Sequence, residues 1–151
     1  MTDTDYKLLN SQVRALLEEE ADALAAASNF VGLLYNAIDN INWLGIYVLR
    51  GDELVLGPFQ GKPACVHIPL GKGVCGKAAS SLQTQRVADV LSFDGHIACD
   101  ADSRSEIVIP LVKDGELLGV LDIDSPLENR FDEEDERFLS EIALAYIDSI
   151  D

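Results

Sequence analysis

Two apolar, branched runs around a tight turn constrain this chain most: Glu106 to Val112 and Leu117 to Asp124 flank Lys113-Asp114-Gly115-Glu116. An Asp-Gly pair between strand-like runs is a hairpin signal, because its central residues must take positive φ and the resulting twist suits the flanking strands. A second hairpin is predicted upstream. Asn42 to Leu49 is rich in aromatic and branched residues, the chain turns at Arg50-Gly51-Asp52, and Glu53 to Phe59 returns. A short strand is expected near Cys65 to Ile68, followed by a glycine-punctuated loop and a helix starting at about Val74. Between Tyr6 and Glu20, Leu9, Val13, Leu16 and Leu17 fall on one helical face, and the alanine-rich run from Ala21 to Ile38 reads as a more buried helix. From Phe131 a last helix opens with carboxylates in its first turn, and Phe138, Leu139, Ile142, Ala143 and Tyr146 form its apolar stripe. The order of elements predicts an α+β domain, an antiparallel sheet covered by helices in two or three layers.

At 151 residues the chain is long enough to bury roughly 70% of its unfolded surface as one domain. Eleven Lys and Arg against 27 Asp and Glu give a formal net charge of -16, which repels nucleic acid and anionic membranes. The N-terminus lacks the pattern of a signal peptide, and no apolar run approaches the ~20 residues that span a bilayer. A cytoplasmic protein is expected. There, Cys65, Cys75 and Cys99 are better suited to redox or catalytic work than to a permanent disulfide frame.

Three constellations offer chemistry. Gly71, Gly76 and Lys77 have phosphate-loop spacing, but Ala78 stands where a magnesium-binding hydroxyl belongs, so the glycines are read as the tight entry to a helix. Cys65, His67, Cys75, His96 and Cys99 are ligand types without zinc-site spacing, and no metal is expected. The third is a carboxylate set. Asp122 and Asp124 alternate onto one face of their strand, and the hairpin brings Glu106 close to one of them. Such acids are either solvated or hold a cationic ligand.

Cys99 joins this set, lying in the polar loop HIACDADSRSE seven residues before Glu106. Acids beside a thiol oppose thiolate formation unless a cation joins them, and an ammonium-bearing ligand would supply it. A carboxyl held protonated among like charges can then donate a proton. Attack by the thiol on an oxidised sulfur would leave a sulfenic acid, which a second cysteine can capture as a disulfide. Trp43 and Tyr47, four apart on one strand, share a face and serve either the core or a pocket wall.

NWLGIY at 42 to 47, GKGVCGKAA at 71 to 79, HIACDADSRSEIVIP at 96 to 110, GVLDIDSP at 119 to 126 and the following FDEEDERFL resemble the free methionine-(R)-sulfoxide reductases. The resemblance covers essentially the whole chain. It implies a single GAF-like domain over residues 1–151, with an antiparallel sheet of about six strands flanked by helices. It also implies reduction of free methionine (R)-sulfoxide, with Cys99 as attacking thiol, Cys65 resolving the sulfenic acid and Cys75 auxiliary. By the same carry-over, Glu106, Asp122 and Asp124 hold the substrate's ammonium and polarise its sulfoxide oxygen, while Trp43 and Tyr47 line the methyl-sulfur end. Thioredoxin is the implied reductant, with no bound prosthetic group. The rival expectation is a GAF-type binding module or redox sensor. Oligomeric state stays open in the sequence, although the first amphipathic helix offers a face for a homodimer.

Overall fold

A computed structural model describes residues 4–95 and 101–150. Six strands form one sheet in the order β3-β2-β1-β6-β5-β4, and every neighbouring pair is antiparallel. They are β1 (Trp43–Arg50), β2 (Glu53–Gln60), β3 (His67–Pro69), β4 (Gln85–Val87), β5 (Ser105–Lys113) and β6 (Glu116–Ser125). The helices are α1 (Tyr6–Leu17), α2 (Ala23–Ala37), α3 (Gly73–Ser81) and α4 (Glu133–Asp148), with a short 3-10 turn at Val90–Ser92. Among the described residues, no helix is long and apolar enough to cross a membrane.

The hairpins form where the sequence places them. Asp114 and Gly115 take φ of 53° and 82°, the left-handed pair that a two-residue turn requires. In the first hairpin Gly45 pairs with Phe59 and Tyr47 with Leu56, so β2 carries one extra residue there, at its Gly57-Pro58 step. A proline inside a strand is tolerated at such a bulge. The predicted helix ends were too generous. Side chains of Asp5 and Asp22 cap α1 and α2, accepting from the amides of Leu8 and Ala25. Asp132 caps α4 in a reciprocal box with Asp135, which satisfies amides that a helix start otherwise leaves open.

Alternation along the central strands sorts residues between two cores. Leu44, Ile46, Ile107, Ile109, Leu121 and Ile123 face α1, α2 and α4 in the larger core. Trp43, Tyr47, Val108 and Val120 face the opposite side, packing with Val74, Cys75, Ala78 and Ala79 of α3. The result is three layers. Leu9, Val13 and Leu17 of α1 are buried in the larger core while Leu16 stays exposed, and Tyr6 stacks on Phe138 of α4 at 5.3 Å.

Candidate active site

On the α3 side, the same alternation that buries isoleucines on the far face puts Asp122 and Asp124 beside Val120, and Glu106 beside Val108. Register completes the grouping: Glu106 pairs with Asp124, Val108 with Asp122, Trp43 with Asp124 and Gly45 with Asp122. Three strands thus deliver three acids and an indole to one patch. These residues line a pocket of about 540 Å³, mouth included, together with Tyr47 and Cys75.

The aromatic wall is rigid. Trp43 is buried and sandwiched, stacking on Tyr47 at 5.9 Å and on Phe59 at 5.4 Å. Its indole Nε1 donates to the Lys62 carbonyl at 3.0 Å. A Cβ at Gly45 would lie 2.5 Å from the indole ring, and one at Gly61 2.6 Å from it, so both positions must lack a side chain. The Tyr47 hydroxyl donates to the backbone carbonyl of Cys65 at 3.1 Å, which ties the pocket wall to the segment carrying that cysteine.

The opposite wall comes from the loop GKGVCGK. Gly71 and Gly73 take positive φ, the Gly71 amide donates to the Gly76 carbonyl at 2.9 Å, and the Lys72 amide donates to the Pro69 carbonyl at 3.1 Å. A Cβ at Gly76 would meet the Pro69 carbonyl oxygen at 2.7 Å. This packing turns the start of α3 toward the pocket, where Lys72, Gly73 and Val74 are among the lining residues. No side chain caps α3, so its N-terminal amides are available to an anion. The glycines form the tight entry to a helix that the sequence predicts, with Lys72 at the cap position of α3.

Glu106 and Asp122 are 7% and 5% exposed. Burial raises the Glu106 carboxyl well above the ordinary carboxylate range, the charges of Asp122 and Asp124 add to the rise, and hydrogen bonds to both acids favour its protonated form. Burial likewise pushes the Cys75 thiol up, with Asp122 and Glu106 adding to it. Burial also raises the Tyr47 hydroxyl, with Asp122 adding most after it, then Cys75, Asp124 and Glu106. The pocket therefore stores protons and negative potential that a cation would relieve.

The cysteines divide. Cys75 is a free, buried thiol, whereas Cys65 is half-buried and disulfide-bonded. Cys99 and His96 lie outside the described residues. Ser103, just downstream of them, lines the pocket. Of the ligand types noted in the sequence, His67 is exposed and its Nδ1 lies 2.9 Å from Glu53. Cys75, Glu106 and Asp122 instead place donor atoms within 4.8 Å of one another, a cluster in which the thiol and the Glu106 carboxyl are both pushed toward their protonated forms.

A GAF domain model matches residues 16–146. The free methionine-R-sulfoxide reductase of Escherichia coli is 54% identical over 137 residues, covering 91% of this chain and 83% of that protein. The reduced form of fRMsr from Staphylococcus aureus superposes with a TM-score of 0.96 at 51% identity, over 100% of this chain and 99% of that one. The same S. aureus protein in complex with substrate gives 0.94 at 52% identity, over 98% and 97%. A pocket built from Trp43, Glu106, Asp122 and Asp124 on this sheet, with these likenesses over nearly the full length, places the chain in the GAF domain family, among the free methionine-R-sulfoxide reductases.

Proposed function

We propose that this protein reduces free methionine (R)-sulfoxide to methionine, with Cys99 as the attacking thiol and Cys65 as the resolving one. The observation that carries the reading is the polarity of the pocket: three acids on its sheet side face an uncapped helix start and Lys72 on the other. A free amino acid is a zwitterion. Its ammonium suits Glu106, Asp122 and Asp124, its carboxylate suits the amides of Gly73 and Val74 with Lys72, and its methyl-sulfur end suits Trp43 and Tyr47. A methionine sulfoxide within a polypeptide has amides at both positions, so this pocket favours the free amino acid.

The chemistry follows from the proton inventory. The Cys99 thiol attacks the sulfoxide sulfur while Glu106, held protonated by burial and its acidic neighbours, donates to the sulfoxide oxygen. The oxygen, taking that proton and the thiol's, leaves as water. Water then attacks the Cys99 sulfur of the resulting sulfonium adduct, breaking the sulfur–sulfur bond and returning a proton to Glu106, so methionine leaves and Cys99 is left as a sulfenic acid. The Cys65 thiol then displaces water from that sulfenic sulfur, giving one disulfide and one water. A dithiol reductant, thioredoxin, returns both thiols. That Cys65 is disulfide-bonded while Cys75 stays a free thiol supports Cys65 as the resolving partner and leaves Cys75 an auxiliary part of the acid pocket. Such a cycle belongs in a cytoplasm that keeps thiols reduced.

The test mixes reduced protein with each resolved epimer of free methionine sulfoxide and with a peptide-bound sulfoxide, with thioredoxin, its reductase and NADPH present. NADPH consumption confined to the free R epimer, and abolished in Cys99→Ser, is expected. Binding without methionine formation would mark the protein as a sensor and overturn the reading.

A further inference from the structure

Ser103 is 7% exposed and lines the pocket with Trp43, Glu106 and Asp124. The chain beside it is fixed on two sides. The Arg104 amide donates to the Ser125 carbonyl at 2.7 Å, and the Arg104 carbonyl accepts from the Val90 amide at 2.7 Å. The side chain is fixed as well, because the Asn42 side-chain amide donates to Ser103 Oγ at 3.2 Å. Asn42 is held in turn through its backbone amide, which donates to the Asp124 carbonyl at 3.0 Å, next to the Trp43–Asp124 pair of the β1–β6 ladder.

The bond from Asn42 decides what the hydroxyl can do. A serine hydroxyl has one proton to give and two lone pairs to accept with, so accepting from Asn42 leaves its proton for another partner. Among the described residues no acceptor receives it. A buried donor in this position costs free energy that a bound acceptor recovers. The ligand of the reductase reading offers two acceptors, a carboxylate and a sulfoxide oxygen. Its carboxylate belongs at the opposite wall, with Lys72 and the amides of Gly73 and Val74. Ser103 is tied to the residue before Trp43 and precedes Glu106 by three positions, at the methyl-sulfur end and beside the proton donor.

We infer that Ser103 donates a hydrogen bond to the sulfoxide oxygen, beside Glu106, and through it contributes to the choice between the two epimers. The inference rests on the reductase reading for its ligand. A sulfoxide oxygen carries partial negative charge and accepts from two donors at once. The sulfur bears that oxygen, a methyl, the side-chain methylene and a lone pair. With the methylene set by the zwitterionic head and the methyl set against Trp43, the epimers differ by exchange of oxygen and lone pair. Glu106 and Ser103 come from the same end of β5, so one epimer meets both donors. The other turns its oxygen away and leaves both buried donors unanswered, which is how a hydrogen-bonding site rejects a near match. Glu106 alone transfers its proton; Ser103 keeps its own and holds the oxygen in line for that transfer.

The test measures binding by calorimetry in the Cys99→Ser protein, with and without Ser103→Ala. Three ligands are compared: free methionine (R)-sulfoxide, its S epimer, and methionine, which keeps the ammonium, the carboxylate and the methyl-sulfur end but lacks the oxygen. Ser103→Ala should weaken the R epimer about fivefold, the worth of one net hydrogen bond, and leave methionine unchanged. The ratio of R to S affinity should fall by the same factor. Equal weakening of methionine would assign the hydroxyl to the carboxylate or to the fold and overturn the inference. Unchanged binding of the R epimer, or equal weakening of both epimers, would overturn it as well. Failure of the parent reading shows separately, as absence of methionine formation when the wild-type protein is given the sulfoxide with dithiothreitol, a result that leaves the binding comparison standing.

Discussion

Glu106 stands directly opposite Asp124 across the β5–β6 ladder, with Asp122 two residues away on the same face. Like charges so placed cannot all ionise in a buried site, and Glu106 keeps its proton. As pH rises above the ordinary carboxyl value of about 4.5, the unfolded chain releases a proton that the folded chain retains. Stability contributed by this group is complete below that pH and is lost as pH rises toward the raised folded value. Glu106→Gln should therefore unfold at higher temperature than wild type near pH 8, with the gain vanishing near pH 4 in thermal scans. Its reductase turnover should fall about 10²-fold or more, as expected for a lost proton donor.

Tyr47→Phe removes the hydroxyl that holds the Cys65 carbonyl. One net hydrogen bond is worth about 1 kcal/mol, readable as a shift of the urea midpoint. The larger effect should be kinetic. With the Cys65 segment loosened, the sulfenic acid persists longer, and trapping by dimedone during turnover should rise above wild type while the first methionine is released at an unchanged rate.

Gly45→Ala introduces a Cβ that would lie 2.5 Å from the indole of Trp43 and 2.6 Å from the Cβ of Phe59. Both neighbours are held in a three-ring stack, so the wall must shift; overpacking of this kind costs about 1–3 kcal/mol. Steady-state kinetics should show KM for the sulfoxide rising more than kcat falls, because the displaced wall contacts the methyl end rather than the proton donor.

Arg130 anchors the fold through groups that do not line the pocket. Its guanidinium, 5% exposed, pairs with Asp135 at 3.3 Å and with Asp39 at 3.1 Å, and donates to the Asp39 carbonyl at 2.9 Å. The Tyr6 hydroxyl donates to the same Asp135 at 2.6 Å, so α1, the end of α2 and the start of α4 meet at one buried charge. Arg130→Met leaves two carboxylates without it and should cost about 3–5 kcal/mol in equilibrium unfolding. Turnover per folded molecule at low temperature should be close to wild type.

Hairpins and the acid patch were legible because period-two alternation and an Asp-Gly turn are local signals: Asp122, Asp124 and Glu106 could be placed on one face from spacing. Short elements were not. Strand β4, Gln85–Val87, has three residues and exists through its pairing with Glu106 to Val108, a nonlocal cause that local propensity does not report. The Arg130 network was invisible for the same reason, since it joins residues 91 positions apart. Trp43 shows a subtler limit. Its spacing from Tyr47 allowed core packing or a pocket wall, and the structure makes it both, stacked on Phe59 behind and lining the pocket in front. Cys75 entered the reading as one of three thiols; its closeness to Asp122 and Glu106 depends on how α3 packs across the sheet.

A single-turnover experiment bears most directly on the central claim, that one small acidic pocket couples a zwitterionic sulfoxide to a thiol pair. Fully reduced protein is mixed with one equivalent of free methionine (R)-sulfoxide, quenched with an alkylating agent, and analysed by peptide mass spectrometry alongside free methionine. The account predicts one methionine per chain, a disulfide joining Cys65 to Cys99, and an alkylated Cys75. Methionine formed with Cys65 and Cys99 both still alkylatable, or a disulfide through Cys75 in their place, would contradict it.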